Sequence, residues 1–108
     1  MGAQDEDAFC MIVLEAYQFT AVRYTEDDGS VTVSLNEIDI IENGKDDKDV
    51  RLKMGKAILE YSTEYYDEYE MYSRSPNRKK HIPYIFKALI IGCPEKIGDM
   101  IQFQGGES

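Results

Sequence analysis

Residues 19–44, FTAVRYTEDDGSVTVSLNEIDIIENG, decide the fold. The opening FTAVRY alternates well enough for a strand, and TEDDGS at 25–30 supplies a turn centred on Asp28 and Gly29, where glycine takes a positive φ without steric cost. Val31, Val33 and Leu35 then alternate with Thr32, Ser34 and Asn36. A period of two puts the apolar side chains on one face and the hydroxyls on the other. Two strands joined through Asp-Gly read as a hairpin. Ile38, Ile40 and Ile41 suggest a third extended segment after a kink at Asn36 and Glu37, stopped by Asn43 and Gly44.

Downstream of the hairpin, Asp46 or Asp47 can cap a long helix expected to run to about Tyr72. Val50, Met54, Ala57, Ile58, Tyr61, Tyr65, Tyr69 and Tyr72 recur at three- and four-residue steps, as one helical stripe should. At 100° per residue, Leu52, Leu59 and Tyr66 gather on roughly the opposite side. A helix laid on a single sheet has no use for that second line, so it should meet another segment of this chain or another chain. The remaining arc carries Asp49, Glu60, Glu64 and Asp67, softened by Lys53 and Lys56.

Outside this hairpin–helix unit the signals thin. Residues 1–7 are polar, and AFCMIVLEAY at 8–17 is apolar nearly throughout, so helix and strand are both open, with helix the preferred reading. Pro76 breaks the long helix, and Arg74, Arg78, Lys79 and Lys80 form a basic island before His81. Pro83 followed by YIFKALII predicts a short helix ended by Gly92, and Pro94 starts another through EKIGDMI; QGGES reads as a frayed tail. The expected architecture is a single α+β domain: a small antiparallel sheet packed on one long helix (hairpin–helix core about 18–72), with short helices over 82–102.

Composition narrows the function classes. The chain has 108 residues, 21 acidic and 12 basic side chains, and a net charge of −9, which disfavours duplex DNA or an anionic membrane as the partner of its whole surface. The charge is unevenly divided: residues 1–72 hold 18 acids and 6 bases (net −12), whereas 73–108 hold 3 acids and 6 bases (net +3). Pairing of the basic island with the acidic helix flank is the expected consequence. Cys10 and Cys93 match no metal-ligand spacing and read as free thiols, and the apolar run near the start is too short for a signal peptide or a membrane span. A cytoplasmic protein with no metal or other cofactor is the expectation.

No catalytic constellation stands out. His81 is the lone histidine, and its cationic neighbours favour the neutral ring; it reads as a group bracing or capping the next helix, with a small hydrolase as the rival. Glu60 and Glu64, four residues apart, read as a solvated face rather than an acid–base pair. Arg74, Arg78, Lys79, Lys80 and His81 could contact a phosphate backbone, with Tyr72 and Tyr84 nearby, which makes a nucleic-acid-associated regulator the second reading. Tyrosines at 61, 65, 66, 69, 72 and 84 are amphipathic anchors of the kind enriched at protein interfaces.

The segment FTAVRYTEDDGSVTVSLNEIDIIENGKDDKDVRLKMGKAI at 19–58 resembles small antitoxins of bacterial type II toxin–antitoxin modules, particularly HicB-like domains. The shared order is strand, Asp28-Gly29 turn, strand, the Ile38 to Ile41 segment, Gly44, then an amphipathic helix. EYSTEYYDEYEMYSRSPNRKKHIPYIFKALI at 60–90 is similar to the tail of Phd/RelB-like antitoxins. No ribbon–helix–helix or helix-turn-helix segment follows Tyr72. The resemblance implies a non-enzymatic module that neutralises a basic ribonuclease toxin by contact. The residues expected to meet a protein partner, toxin or second copy in a dimer, are Leu52, Leu59, Glu60, Glu64, Tyr66, Asp67 and Tyr69.

Overall fold

A computed structural model describes residues 16–104. The 8–17 segment and Cys10 therefore lie mostly outside the described residues, as does the end of the tail. The hairpin forms as expected. Strands β1 (Thr20–Thr25) and β2 (Val31–Leu35) pair antiparallel in the register Ala21 with Leu35 through Thr25 with Val31. Gly29 takes φ of +90°, and Asp28 accepts from the Ser30 amide at 2.9 Å and its hydroxyl at 2.6 Å, which lowers the Asp28 pKa. Val31, Val33 and Leu35 are buried on the helix side.

The third strand needs correction. Residues 36–39 make a turn closed by the Leu35 amide on the Ile40 carbonyl at 2.8 Å, so β3 is Ile41–Gly44 and includes the Asn43-Gly44 pair expected to end it. Asp39 sits in this turn at φ +59°, the left-handed region that aspartate tolerates better than most side chains. The Glu37 carboxylate accepts from the Thr20 amide at 2.8 Å and from the Thr20 hydroxyl, which ties the turn to β1.

Helix α1 (Asp47–Asp67) starts where its cap predicts: the Asp46 side chain accepts from the Asp49 amide at 2.8 Å, and the Asp49 side chain reaches back to the Lys45 amide at 3.0 Å. It does not continue to Tyr72. The chain breaks at Glu68 (φ −112°, ψ 38°) and restarts as α2 (Tyr69–Arg74). In a straight helix, residues eleven apart stand about 16 Å apart. The break instead brings the Tyr72 ring to 6.4 Å from Tyr61 and 5.3 Å from Tyr65, between centroids.

A short 3-10 turn (Lys79–His81) leads into α3 (Ile82–Ile91), ended by Gly92 at φ +66°, and α4 (Pro94–Met100) follows, both helices as the proline and glycine signals predicted. The chain then adds a strand that the sequence reading did not anticipate. β4 (Gln102–Gln104) lies parallel to β1, giving a four-stranded mixed sheet in the order β3-β2-β1-β4. The core is the layer between this sheet and the helices, built on Phe19, Val33, Leu35, Val50, Met54, Ile58, Ala88 and Ile97. The α1–α4 crossing is close enough that a Cβ at Gly55 would lie 2.0 Å from the Pro94 carbonyl oxygen, and one at Gly98 2.3 Å from that of Arg51. Arg51 then donates through Nη1 to the Gly98 and Ile101 carbonyls at 2.9 Å each, fixing the turn into β4.

Candidate functional site

Tyr61, Tyr65, Tyr69 and Tyr72 do form a cluster, but its members differ in depth. Tyr65 is fully buried, Tyr61 and Tyr72 are half-buried, and Tyr69, placed on the buried stripe by periodicity, is 40% exposed because it follows the break. The buried ring keeps its hydroxyl paired: Tyr65 donates to the Arg78 carbonyl at 2.9 Å. Tyr72 donates to Glu64 Oε2 at 2.7 Å, a bond that raises the phenol pKa above its usual value.

The basic island makes a different contact from the one expected. Among the described residues, no ion pair joins Arg74, Arg78, Lys79 or Lys80 to the acidic flank of α1. Arg78 instead lies over the Tyr72 ring at 4.6 Å and the Tyr61 ring at 5.6 Å, where the π faces attract its guanidinium. Arg74, Lys79 and Lys80 are exposed.

His81 is buried at 4% exposure and occupies the position before α3, but its side chain makes no cap bond there, which corrects the capping reading. It braces the fold through Tyr61: the hydroxyl and Nδ1 lie 2.8 Å apart. Nε2 has no hydrogen-bond partner and stands 3.9 Å from Asp39 Oδ2. Burial is the main cause holding the His81 pKa below its usual value; Asp39 opposes it, and Lys80 and Arg78 add to it.

The second apolar line of α1 is not one surface. Leu52 is half-buried in a cleft of about 500 Å³ with Arg51, Glu95 and Asp99. Leu59 packs against the core and lines a cleft of about 600 Å³ with Thr63, Asp67, Glu68 and Pro94. Tyr66, 62% exposed, belongs to the α1–α2 junction, where a cleft of about 720 Å³ also includes Asp67, Glu68, Tyr69, Glu70 and Met71. Glu60 and Glu64 border both the Leu59 cleft and a further one of about 480 Å³ containing Asp39, Tyr61, Asn77, Arg78 and His81.

Met71, 58% exposed, lines the cleft at the α1–α2 junction and is not singled out by the sequence reading. Asp39, which the isoleucine spacing places inside a strand, lines the cleft at His81; only its interruption of an apolar run hints at the turn. Among the described residues, no group of three or more histidine, cysteine, aspartate or glutamate side chains converges to hold a metal ion. No described helix is long and apolar enough to cross a membrane. Cys93 is a half-buried free thiol donating to Glu95 at 3.2 Å.

Comparison with known proteins adds to this geometry. A PHD-like family model, described as antitoxin of the RelE/RelB toxin–antitoxin system, matches residues 5–102 and so spans both segments of the sequence resemblance. A crystal structure from Syntrophomonas wolfei subsp. wolfei, described as an antitoxin part of a proposed toxin/antitoxin system, aligns with a TM-score of 0.80 at 24% identity. It covers 91% of this chain and 70% of that one, and at that identity it shows a shared fold. No curated protein matches.

Proposed function

We propose, for a chain that belongs to the PHD-like family of antitoxins of RelE/RelB toxin–antitoxin systems, that it neutralises a basic ribonuclease toxin by contact and without chemistry of its own. The surface assigned to the toxin is the acidic, tyrosine-rich end of α1 with α2. One observation carries this reading: within six residues the junction exposes Tyr66 (62%), Tyr69 (40%) and Met71 (58%), interleaved with Asp67, Glu68 and Glu70. Large exposed side chains of this type supply interface contact area, and the acids around them favour a cationic partner in encounter rate and register. The net charge of −9 extends the same field over the molecule. This reading places the protein in the cytoplasm, where such a toxin meets RNA.

The test is co-expression of the chain with the product of its neighbouring gene. Rescue of growth and co-purification are expected, with affinity falling at least tenfold for Tyr66→Ala combined with Met71→Ala. Neither rescue nor co-purification would overturn the reading. A two-fold dimer is the rival use of the same patch. Sedimentation of the chain alone separates the two, because a dimer would shift to monomer in that double variant.

A second reading has its own support: Arg74, Lys79 and Lys80 are exposed and in no ion pair among the described residues. A nucleic-acid-associated regulator would show binding that weakens steeply with salt and disappears when these bases are neutralised. A flat salt response removes it.

A further inference from the structure

The cleft of about 480 Å³ at His81 is built from three separate parts of the chain: the tight turn after β2, the outer face of α1, and the loop before α3. Its charged lining is Asp39, Glu60 and Glu64 against Arg78, a net of −2 with His81 neutral. Two of these carboxylates have acceptor capacity in hand: among the described residues, neither the Asp39 nor the Glu60 side chain accepts a hydrogen bond. Arg78 does not fill the gap, because its guanidinium is turned onto the rings of Tyr72 and Tyr61.

The second observation is independent of the acids. His81 is 4% exposed, and its Nε2 lacks any hydrogen-bond partner while facing Asp39 at 3.9 Å, too far for a bond. Buried polar atoms are paired in the great majority of cases, so an unsatisfied one on a side chain lining a charged cleft points to a missing partner. The backbone adds to this: Asp39 is the non-glycine residue held at positive φ among the described residues, and its carboxylate is the acidic group nearest Nε2 in the cleft, at 3.9 Å.

We propose that this cleft receives one arginine side chain of the toxin, its guanidinium donating to Asp39, to Glu60 and to Nε2 of His81. The inference rests on the antitoxin reading and names the feature of the partner that the α1 flank grips. A planar fork with five N–H donors suits acceptors on two opposing walls, which a lysine ammonium would reach less completely. In the occupied state Nδ1–H donates to the Tyr61 hydroxyl and the Nε2 lone pair faces the ligand. Ile38, Ile40 and Ala57 line the apolar part of the cleft, against which the arginine methylenes lie.

The test uses the full chain and a defined probe, N-acetyl-arginine N-methylamide, followed by NMR at the His81 ring and the Asp39 and Glu60 amides. Saturable shifts in the millimolar range are expected, at least tenfold weaker for the citrulline analogue, which has the same shape without the charge. Asp39→Asn keeps the backbone, since asparagine also populates positive φ, and should weaken the arginine probe at least fivefold; Glu60→Gln should do the same. Equal shifts from citrulline, or shifts unchanged in both variants, would overturn the proposal. Against the neighbouring gene product the two ideas separate. If Asp39→Asn leaves toxin affinity intact while the Tyr66 and Met71 variant loses it, the arginine site falls and the antitoxin reading stands.

Discussion

From Val50 to Ile58, α1 is clamped between the sheet and α4, with Gly55 and Gly98 letting the two helix backbones nearly touch and Arg51 bonded across the seam. From Leu59 onward the same helix packs largely through tyrosines, which meet each other and His81 edge-on and lie beneath Arg78. Aliphatic packing through glycine leaves no room for adjustment, because any added atom meets backbone. A tyrosine cluster is looser: each ring brings a hydroxyl that can bond to a carbonyl, a carboxylate or an imidazole, so charged residues can lie beside it. One half of the helix is fixed by backbone contact, and the other leaves aromatic and acidic side chains exposed.

The largest expected effect comes from closing the seam. Gly55→Ala puts a methyl 2.0 Å from the Pro94 carbonyl oxygen, so α4 must move. The loss should be about 3 kcal/mol from overpacking, despite the roughly 1 kcal/mol that alanine gains in a helix. A urea midpoint at or above that of the parent chain would show that the two halves are equally tolerant. On the other half, Tyr65→Phe removes one of the two donors to the Arg78 carbonyl and leaves it only the His81 amide at 3.0 Å, an expected loss of about 1 kcal/mol. Amide exchange should quicken around residues 75–81 and stay unchanged in the hairpin.

His81 gives the tyrosine half a pH dependence that the seam lacks. Its folded-state pKa is depressed, so the unfolded chain takes up the proton first, starting near its ordinary value of 6.5. Stability is therefore complete above about 6.5 and falls as pH drops below it, levelling off beneath the folded-state value. Asp28, Asp49 and Glu95, also depressed, lose their contributions only in more acid solution, below their usual 3.8 to 4.5. Urea midpoints at pH 7.5 and 5.5 should differ for the parent chain and agree for His81→Gln. The smallest effect on folding belongs to Tyr66→Ser, within about 0.5 kcal/mol because the ring is exposed. A larger loss would mean that this side chain serves the fold.

Much of the architecture was legible because its signals are local. The hairpin followed from alternation around Asp28 and Gly29, the start of α1 from Asp46, and the C-terminal helices from Pro83, Gly92 and Pro94. An antitoxin of a toxin–antitoxin system was legible too, and the family match agrees with the Phd/RelB-like reading of residues 60–90; it does not bear on the HicB-like reading of 19–58. The site was harder to read. Glu60, Glu64 and Asp67 were correctly placed on the exposed flank, whereas Leu52, Leu59 and Tyr66 looked like one line and belong to three clefts.

What the sequence determined by itself is what dihedral preferences and periods of two and 3.6 encode within a few residues: strands, caps, helix ends, and the charge of each face. Only the tertiary structure decided that Gln102–Gln104 would pair with β1, that two glycines 43 positions apart would bring helices into contact, and that Asp39, Glu60 and His81 would share one cleft. Those outcomes depend on how distant segments are brought together by burial of a common core. A three-residue strand, a single glycine or a lone histidine carries too little pattern to announce its partner.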